Sequence, residues 1–554
     1  MKLTSAQLDR AAGVLLGMAC GDALGAGYEF GPPLARGAEV TMKGGGGFNW
    51  APGEWTDDTS MAVPIVNAIA AGQDLRDEPV LDEIVAAWVE WARTAPDVGN
   101  QLRAVLSRAE PTASAVRVVA RAHHDRHGRS GGNGSLMRTA PVALAYLDDP
   151  VALAGVARTI SALTHFETDA GDACVLWCLA IRHAVLEGTL DVRVGLDALP
   201  AERRALWEAR LVVAEAGVPS DFSRNGWVVE ALQAAWSAIV QPRSEPGAGE
   251  ATGTSSISPT SAGHLQDALE IAVRGGRDTD TVAAIAGGLL GARYGASAVP
   301  AAWRRIVHGW PEGLRADELV RRGVLAARAD GGRMRRDPAL TDRRDPAVLD
   351  RRSRKDRAAT TWPTADHLPY ATSGDRSAFV QHPHDEGVWL GAIGILDALP
   401  AEIDAVVSLC RVGRRQVPGR IRSENRVAVW LIDEPAAKAN PNLAFVLTDT
   451  VDAIAALRAE GRTVLVHCVQ AVSRTPAVGA LYAARHRGIP IEQALADVTN
   501  ALPHAHPNAA FLAALLSAPL TVPLTAPLPV PLPGPTSDGP GGRQRVLATP
   551  DCVL

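Results

Sequence analysis

The alternation of apolar stretches and polar breaks divides this chain into two parts of different character. Between residues 8 and 330, runs rich in Ala, Leu and Val are interrupted by Gly, Pro and Asp, and apolar positions recur at helical spacing. The clearest predicted helices cover residues 60–71, 81–91, 150–163, 170–186, 227–240 and 282–292. The pattern therefore predicts an all-α domain over residues 1–330.

Beyond Trp362 the pattern changes to short apolar strands that alternate with helices. The predicted strands are 405–409, 427–432 and 463–466, and the predicted helices are 446–460 and 475–488. Alternation of this kind is typical of a mainly parallel sheet with helical crossovers. We therefore predict an α/β domain over residues 363–518.

Three further segments lack a periodic apolar pattern. Residues 331–362 are dense in Arg and Asp, which predicts a charged flexible linker; a basic binding patch is disfavoured because acidic residues are interspersed. Residues 519–554 are rich in Pro and are predicted to be disordered or polyproline-like. Residues 241–263 fit either a mobile lid or a plain linker.

Composition narrows the functional classes. A chain of 554 residues exceeds one ordinary hydrophobic core, which agrees with two domains. The formal net charge of −6 gives no electrostatic reason for binding nucleic acid or an anionic membrane. Six irregularly spaced cysteines fit a reduced compartment, so we expect a cytoplasmic protein, and Cys174 with Cys178 is weak support for zinc.

The apolar run at residues 11–20 is similar to a secretion signal, but Asp9 stands just before it. We interpret this run as a buried first helix. No uninterrupted apolar run of about eighteen residues occurs, so no membrane span is predicted.

Two short segments, far apart in the chain, combine carboxylates with threonine hydroxyls. They contain Thr56, Asp57 and Asp58, and Asp278, Asp280 and Thr281. Oxygen ligands of this kind suit Mg²⁺ or Mn²⁺ rather than zinc. Each segment leads into a predicted helix, so the carboxylates lie near helix N-termini, where negative charge is favoured. If the two helices are neighbours, the side chains form a two-metal hydrolytic site.

Helix capping is the alternative interpretation of these segments, because Asp and Thr are common N-cap residues. Four carboxylates in two similar segments exceed what capping needs. This excess favours the metal site.

Five motifs, in a fixed order, resemble those of the ADP-ribosylglycohydrolases, a family that includes the dinitrogenase-reductase-activating glycohydrolase. The motifs are MACGDALG at 18–25 followed by Glu29, TDDT at 56–59, GNGSLMR at 132–138, Thr164-His165, and GRDTDTVAAIAGGLLGARYG at 276–295. The resemblance covers residues 8–330. It implies removal of ADP-ribose from a modified protein or small molecule, with two Mg²⁺ or Mn²⁺ ions as cofactors.

The same resemblance implies a role for each matching residue. The metal ligands would be Thr56, Asp57, Asp58, Asp278, Asp280 and Thr281. Glu29 would gate the metals and Asp97 would act as a base; since these match different family members, the linkage specificity stays open. The diphosphate would lie on Ser130, Gly131, Gly132 and Asn133, with His165 near the ADP-ribose. The simpler alternatives are a surface carboxylate for Glu29 and a turn-forming residue for Asp97. For the glycine-rich loop the alternative is an ordinary turn, and for His165 it is a structural role.

A second candidate site follows the predicted strand at 463–466. Cys468 is followed by a turn and then by Arg474 at the start of a helix. Loop N–H groups and the helix N-terminus converge there, which binds anions and lowers the pKa of the thiol. Arg474 can bind two phosphate oxygens, and Thr475 can donate to the thiol. The loop therefore predicts a cysteine nucleophile for phosphate; a buried structural cysteine and a sulfur-carrier loop are the alternatives.

This C-x5-R loop resembles that of the tyrosine and dual-specificity phosphatases, over about residues 380–516. The resemblance implies that Asp433, after the strand predicted at 427–432, is the general acid. Such phosphatases usually carry Gly where this chain has Ala471. If that position needs positive φ, Ala costs on the order of 1 kcal/mol.

Taken together, the sequence predicts a two-domain hydrolase that acts on ADP-ribosylated and on phosphorylated substrates. Nucleic acid is expected only as a modified substrate, and no membrane partner is expected. The alternative is a reader or scaffold that binds ADP-ribose or phosphate without turnover, more readily in the second domain because of Ala471.

Overall fold

The computed structural model describes residues 2–35, 37–241, 262–329, 362–368, 370, 377–502 and 504–518. One compact unit spans Met1–Leu520. The predicted linker 331–362, except for Trp362, and the predicted tail 519–554 lie outside the described residues, as does most of the predicted loop 241–263.

The first part of the chain is helical. Its helices are α1 (Ser5–Gly25), α2 (Asp57–Ala70), α3 (Glu78–Ala92), α4 (Asn100–Leu106), α5 (Ala113–His127), α6 (Leu136–Thr139), α7 (Val142–Ala145), α8 (Pro150–Ala162), α9 (Thr168–Glu187), α10 (Ala201–Ala216), α11 (Val228–Val240), α12 (Gly263–Arg274), α13 (Thr279–Tyr294), α14 (Ala301–Ile306) and α15 (Ala316–Arg328). A two-residue antiparallel pair joins β1 (His308–Gly309) and β2 (Leu314–Arg315). The predicted helical character of this part is confirmed, and each helix predicted above lies within one of these helices or overlaps it closely.

Helices α1 and α13 form the centre of this part, because glycines let their backbones meet. A Cβ atom on Gly17 would lie 2.3 Å from the carbonyl oxygen of Gly287, and one on Gly21 would lie 2.1 Å from that of Ala283. Any side chain there would push the helices apart, since real Cβ contacts are not this short. The start of α1 is fixed by a capping box in which Thr4 and Gln7 bind each other's backbone N–H groups.

The α1 region through Tyr28 is long and apolar enough, by length and composition, to cross a membrane. However, 89% of that window is buried inside the fold. A buried core helix passes the same test, and burial is what the interpretation of residues 11–20 as a first helix requires.

The second part is built on a five-stranded sheet. Its strands are β3 (Phe379–His382), β4 (Asp385–Ala392), β5 (Ala405–Ser408), β6 (Arg426–Ala428) and β7 (Val464–Cys468), in the order β3-β4-β7-β5-β6. Its helices are α16 (Leu443–Ala459), α17 (Arg474–Arg487), α18 (Ile491–Ala501) and α19 (Ala509–Ser517). All strand pairs are parallel except β3 with β4, so the mainly parallel sheet is confirmed.

One strand boundary differs from the prediction. The apolar run 427–432 was expected to be a single strand, but β6 ends at Ala428. At Trp430 the backbone N–H donates instead to the hydroxyl of Ser297 in the first part, at 3.0 Å. The chain therefore leaves the sheet before Asp433, because it pairs with the neighbouring helical part.

The two parts share a polar interface around α14. Arg304 donates to the carbonyl oxygen of Ala428 at 2.6 Å, and Arg305 donates to that of Glu424 at 2.7 Å. From the other side, the Asp449 carboxylate accepts the N–H of Ala301 at 3.0 Å. These contacts hold the α/β part directly against the helical part.

Candidate active sites

The first candidate site begins with a carboxylate of α1 that fixes the start of α2. Asp22 is fully buried, and its two oxygens accept the N–H groups of Thr56 and Thr59 at 2.8 and 2.9 Å. It thus satisfies two otherwise unpaired N–H groups of the α2 N-terminus. Asp57 and Asp58 follow at once in the first turn of α2.

The opposite wall is the start of α13, which asparagine side chains hold in place. Asn133 donates to Oδ2 of Asp278 at 2.8 Å, and Oδ1 of Asn225 accepts the Asp278 N–H at 3.3 Å. The turn into α13 has positive φ at Gly276 and Arg277, 76° and 65°. This turn aims Asp278 and Asp280 back toward α2.

The carboxylates of the two helices converge. Asp22, Asp58 and Asp280 each bring an oxygen within 4.8 Å of the others, and Glu29, Asp278 and Asp280 form a second such group. Asp280 belongs to both groups, so they form one continuous site. The hydroxyls of Thr56 and Thr281 both donate to Oδ2 of Asp58, at 3.1 and 3.3 Å. The predicted metal-ligand residues are therefore neighbours, as the sequence pattern required.

The site carries a concentration of negative charge without a counter-charge. Burial, followed by repulsion from neighbouring carboxylates, raises the pKa of Asp57, Asp58 and Asp280 well above the usual range. The same two causes raise the pKa of Glu29 to about 11. Within the described residues, none of these carboxylates has a Lys or Arg nitrogen within 4.0 Å.

Two buried carboxylate oxygens lack any hydrogen-bond donor in the described part of the chain. They are Oδ1 of Asp58 and Oδ1 of Asp280. A buried carboxylate oxygen without a partner is costly, so it calls for a cation. An all-oxygen donor set of carboxylates and hydroxyls suits Mg²⁺ or Mn²⁺. The residues present therefore fit divalent cations.

Asp97 and Glu29 border this site from two directions. Oδ2 of Asp97 accepts the N–H of Asp57 at 2.9 Å, which ties the loop before α4 to the start of α2. Burial raises the pKa of Asp97 to about 7. Glu29 is half-buried and lies beside Asp278 and Asp280. Both predicted catalytic carboxylates thus lie at the site.

The predicted diphosphate loop is held mainly by its own contacts. The Ser130 N–H donates to Glu167 at 2.6 Å, and the Asn133 N–H donates to the carbonyl of Gly226 at 3.1 Å. These two N–H groups are therefore used, and any anion would bind to the remaining ones at Gly131 and Gly132. Only the Asn133 side chain reaches the carboxylate site.

His165 supports this loop from below. It is only 3% exposed, and a Cβ on Gly132 or Gly134 would lie 3.3 Å from its Nε2 atom. Nδ1 of the ring is 2.8 Å from the Thr164 hydroxyl. Burial lowers its pKa well below the usual range, so the ring is neutral. The buried ring packs against the glycine loop, and its predicted contact with ADP-ribose stays a prediction.

The second candidate site lies at the carboxyl end of β7. Cys468 is the last residue of the strand, and α17 begins at Arg474. Burial opposes ionisation, but Arg474 and hydrogen bonds from Thr475 and Gln470 together lower the pKa of the Cys468 thiol. The loop therefore stabilises a thiolate, as its sequence predicted.

Arg474 keeps part of its guanidinium available. Its Nη1 donates to the carbonyl oxygen of Leu431 at 2.9 Å. Its buried Nε has no hydrogen-bond partner among the described residues, and Asp433 lies 3.9 Å from it. The other oxygen of Asp433 accepts from the Asn508 amide at 2.8 Å. Asp433 is thus held near the loop, although β6 ends well before it.

Ala471 adopts the backbone conformation in which glycine is favoured. Its φ is 58°, and its side chain is fully buried. A left-handed conformation costs an L-residue about 1–2 kcal/mol. The loop accepts this strain and still turns back toward Arg474, so the sequence departure at this position changes the energy of the loop rather than its path.

With both sites described, comparison with known proteins is informative. A family model for ADP-ribosylglycohydrolase matches residues 3–334. The chain belongs to the ADP-ribosylglycohydrolase family. An ADP-ribosylarginine hydrolase Tri1 of Pseudomonas putida is 31% identical over 306 residues, which cover 53% of this chain and 73% of that protein. An ADP-ribosyl-[dinitrogen reductase] glycohydrolase of Rhodospirillum rubrum is 28% identical, covering 53% of this chain and 89% of that protein. The resemblance inferred from the five motifs is confirmed.

The part beyond the ADP-ribosylglycohydrolase match is similar to dual-specificity phosphatases. A crystal structure of human DUSP28 is 27% identical and covers 26% of this chain and 95% of that one, with a TM-score of 0.23. The chemistry of the second site therefore rests on the geometry of Cys468 and Arg474.

Sequence reasoning missed residues that the tertiary structure brings to the two candidate sites. Asp22 stood in a quoted motif but was not assigned a role, and Asn225 and Asn508 had no local signal. Asp22 could have been noticed as a buried acid in an otherwise apolar helix. The two asparagines act across 53 and 75 positions of the chain, to Asp278 and Asp433, which no local pattern reveals.

Proposed function

We propose that the first part of this protein removes ADP-ribose from a modified acceptor by metal-dependent hydrolysis, and that the second part hydrolyses phosphate monoesters through Cys468. The observation that carries the first activity is the buried carboxylate site with two unpartnered oxygens, on Asp58 and Asp280. Its relatives named above hydrolyse ADP-ribosyl linkages, which supports the same class of substrate here.

Divalent cations would be held by Asp22, Thr56, Asp57, Asp58, Asp278, Asp280 and Thr281, with Glu29 beside them. We propose Mg²⁺ or Mn²⁺, two ions in all, because the two carboxylate groups share only Asp280. When bound, they would supply Lewis-acid chemistry.

The chain's own residues would manage the proton and the developing charge. Asp97, with a pKa of about 7, is suited to accept a proton from an attacking water near neutral pH. Without cations the pKa of Glu29 is about 11; cations bound beside Asp278 and Asp280 would favour its ionised form, which can stabilise the positive charge of an oxocarbenium-like transition state. Asn133 orients Asp278 so that its second oxygen stays directed into the site.

In the second part, the Cys468 thiolate would attack phosphorus while Arg474 binds two equatorial oxygens. The bond to the leaving oxygen breaks, and Asp433 protonates that oxygen. Thr475 donates to the sulfur, which makes the thiolate a better leaving group when water later releases phosphate. Asn508 positions Asp433, and it also caps α19 by accepting the N–H groups of Ala510 and Phe511.

The two activities are tested with one set of purified proteins. Wild type, the double variant Asp57→Ala/Asp58→Ala, and Cys468→Ser are each assayed for ADP-ribose release from arginine-linked and serine-linked proteins, with Mg²⁺, Mn²⁺ or EDTA. The same proteins are assayed with an aryl phosphate. We expect EDTA and the double variant to abolish only ADP-ribose release, and Cys468→Ser to abolish only phosphate release.

Each arm can fail separately. Release of ADP-ribose that persists in EDTA would contradict the metal site. If the protein binds phosphate but does not hydrolyse the aryl phosphate, the second part is a binding module, which is compatible with the strained backbone at Ala471. The acceptor linkage and the cytoplasmic location stay predictions, and the first is decided by which ADP-ribosylated protein is turned over.

A further inference from the structure

A cavity lies between the two parts of the protein, and its wall includes Ser408 and Cys410, which flank the Leu409 carbonyl that accepts a hydrogen bond from Arg474. Its volume is about 120 Å³, enough for several waters or a small ion. The helical part contributes Arg304 and Arg321 to its wall, and the α/β part contributes Arg411, Arg414 and Trp430. Because both parts build the wall, the cavity exists only where they meet.

The described wall of this cavity is strongly positive. Seven arginines and one aspartate, Asp317, line it. Burial lowers the pKa of Arg321; Glu318, 3.4 Å away, and Asp317 oppose this shift, and the positive charges of Arg414 and Arg426 add to it. Such crowding of guanidinium groups is unfavourable unless an anion lies among them.

Arg411 is the clearest sign of a missing partner. Its Nε and Nη2 atoms are buried, and neither has a hydrogen-bond partner among the described residues. No described carboxylate lies within 4.0 Å of its nitrogens. Its guanidinium lies over the rings of Trp362 and Trp430, at 5.0 and 4.6 Å from their centroids. These contacts hold the guanidinium in place without using its N–H groups.

Arg304 adds a second set of unused donors. Its side chain is 10% exposed, and Nε and Nη2 have no hydrogen-bond partner in the described part of the chain. Its Nη1 is fixed by the carbonyl of Ala428, and Asp449 lies 3.5 Å from Nη2. A rigid fork of this kind is pre-organised for an anion with several oxygens.

We propose that this cavity binds a small phosphate-bearing anion, held by Arg411 and Arg304 and screened at its mouth by Arg414. A phosphate group supplies several acceptor oxygens for guanidinium donors that point inward, whereas a carboxylate supplies only two. The source is either inorganic phosphate or a nucleoside phosphate, and the two are distinguished by experiment. The inference does not depend on turnover at either candidate active site.

The test is calorimetric titration of the full-length chain with inorganic phosphate and, separately, with AMP. Because the Cys468 loop also binds phosphate, the readout is the number of sites and not binding alone. Arg411→Met retains the stem against the tryptophans but removes the donors, and Arg422→Met removes an equal charge from a side chain that is 76% exposed. We expect Arg411→Met to lose one phosphate site that wild type and Arg422→Met keep.

Thermal melts give an independent readout. Arg411→Met should abolish most of the phosphate-induced rise in melting temperature, because the variant loses the donors that bind the anion. If Arg411→Met does not fold, Arg414→Met, a change to an exposed side chain, should weaken the same site severalfold. Equal site numbers in Arg411→Met, Arg414→Met and Arg422→Met would overturn the proposal. Binding of AMP but not inorganic phosphate would identify the ligand as a nucleoside phosphate.

Discussion

The close contact between α1 and α13 makes a sharp prediction, because one methyl group should disturb both stability and the metal site. A Cβ on Gly21 would lie 2.1 Å from the carbonyl oxygen of Ala283, whereas ordinary contact begins at 3.4 Å. Gly21→Ala therefore requires the two backbones to separate by about 1.3 Å at this point. Neither atom belongs to a flexible side chain, so the strain cannot be relieved locally.

The magnitude follows from opposing contributions. Overpacking of a tight core costs about 1–3 kcal/mol, and contact with backbone places this site at the upper end. The better helix propensity of Ala offsets up to about 1 kcal/mol of this loss in folding stability. We expect Gly21→Ala to lose about 2 kcal/mol of folding stability. Asp22 is the next residue, so its distance from Asp280 should change as well, and metal-dependent ADP-ribose release should fall with it.

The matched control is Gly155→Ala on α8, where a new Cβ would meet nothing within 4 Å. There the same substitution should stabilise the protein by about 0.5–1 kcal/mol. Both variants are compared with wild type by thermal melting and by ADP-ribose release at increasing Mn²⁺. The reasoning is refuted if Gly21→Ala melts at or above the wild-type temperature, or if both variants shift in the same direction.

Three further predictions concern the sites themselves. Asp22→Asn should abolish ADP-ribose release and the Mn²⁺-induced rise in melting temperature, because an amide supplies no negative charge; retention of both would exclude Asp22 as a ligand. Folding raises the pKa of Asp58, and that of Asp97 to about 7. Without divalent cations, the folded state therefore binds more protons than the unfolded state between about pH 5 and 8, and stability should fall as pH rises through this range. Melts in EDTA and in Mg²⁺ check this, and a flat EDTA profile would contradict it. Ala471→Gly should increase turnover of an aryl phosphate severalfold by relieving a φ of 58°, whereas Ala436→Gly, at a φ of −72°, should leave it unchanged; a fall in Ala471→Gly would show that the strained loop is the working one.

Much of the architecture was predictable from local sequence. Helices such as α9 and α11 were predicted within about two residues at each end, because their apolar periodicity is long and regular. The strand β6 was predicted too long, because an apolar run does not reveal that Trp430 pairs with Ser297 of the first part. Local periodicity was enough to predict these helices, whereas the end of β6 depends on a contact between residues 133 positions apart.

The candidate sites divide in the same way. Residue chemistry alone predicts that Asp57, Asp58, Asp278 and Asp280 are metal ligands and that Cys468 and Arg474 form a phosphate site, because each group is contiguous or nearly so in the chain. The assignment of His165 to substrate could not be judged from sequence, since only the fold shows it buried under a glycine loop.

Local sequence patterns predicted most of the long helices, three of the five strands of the sheet, and the chemical groups of both candidate sites. Only the tertiary structure decided that Asp22 completes the carboxylate site, that Asn508 holds Asp433, and that arginines from both parts enclose one cavity. The physical reason is range: helix periodicity and loop motifs are encoded within about ten residues. Burial, counter-charge and hydrogen-bond satisfaction depend instead on segments that folding brings together from tens to hundreds of residues apart.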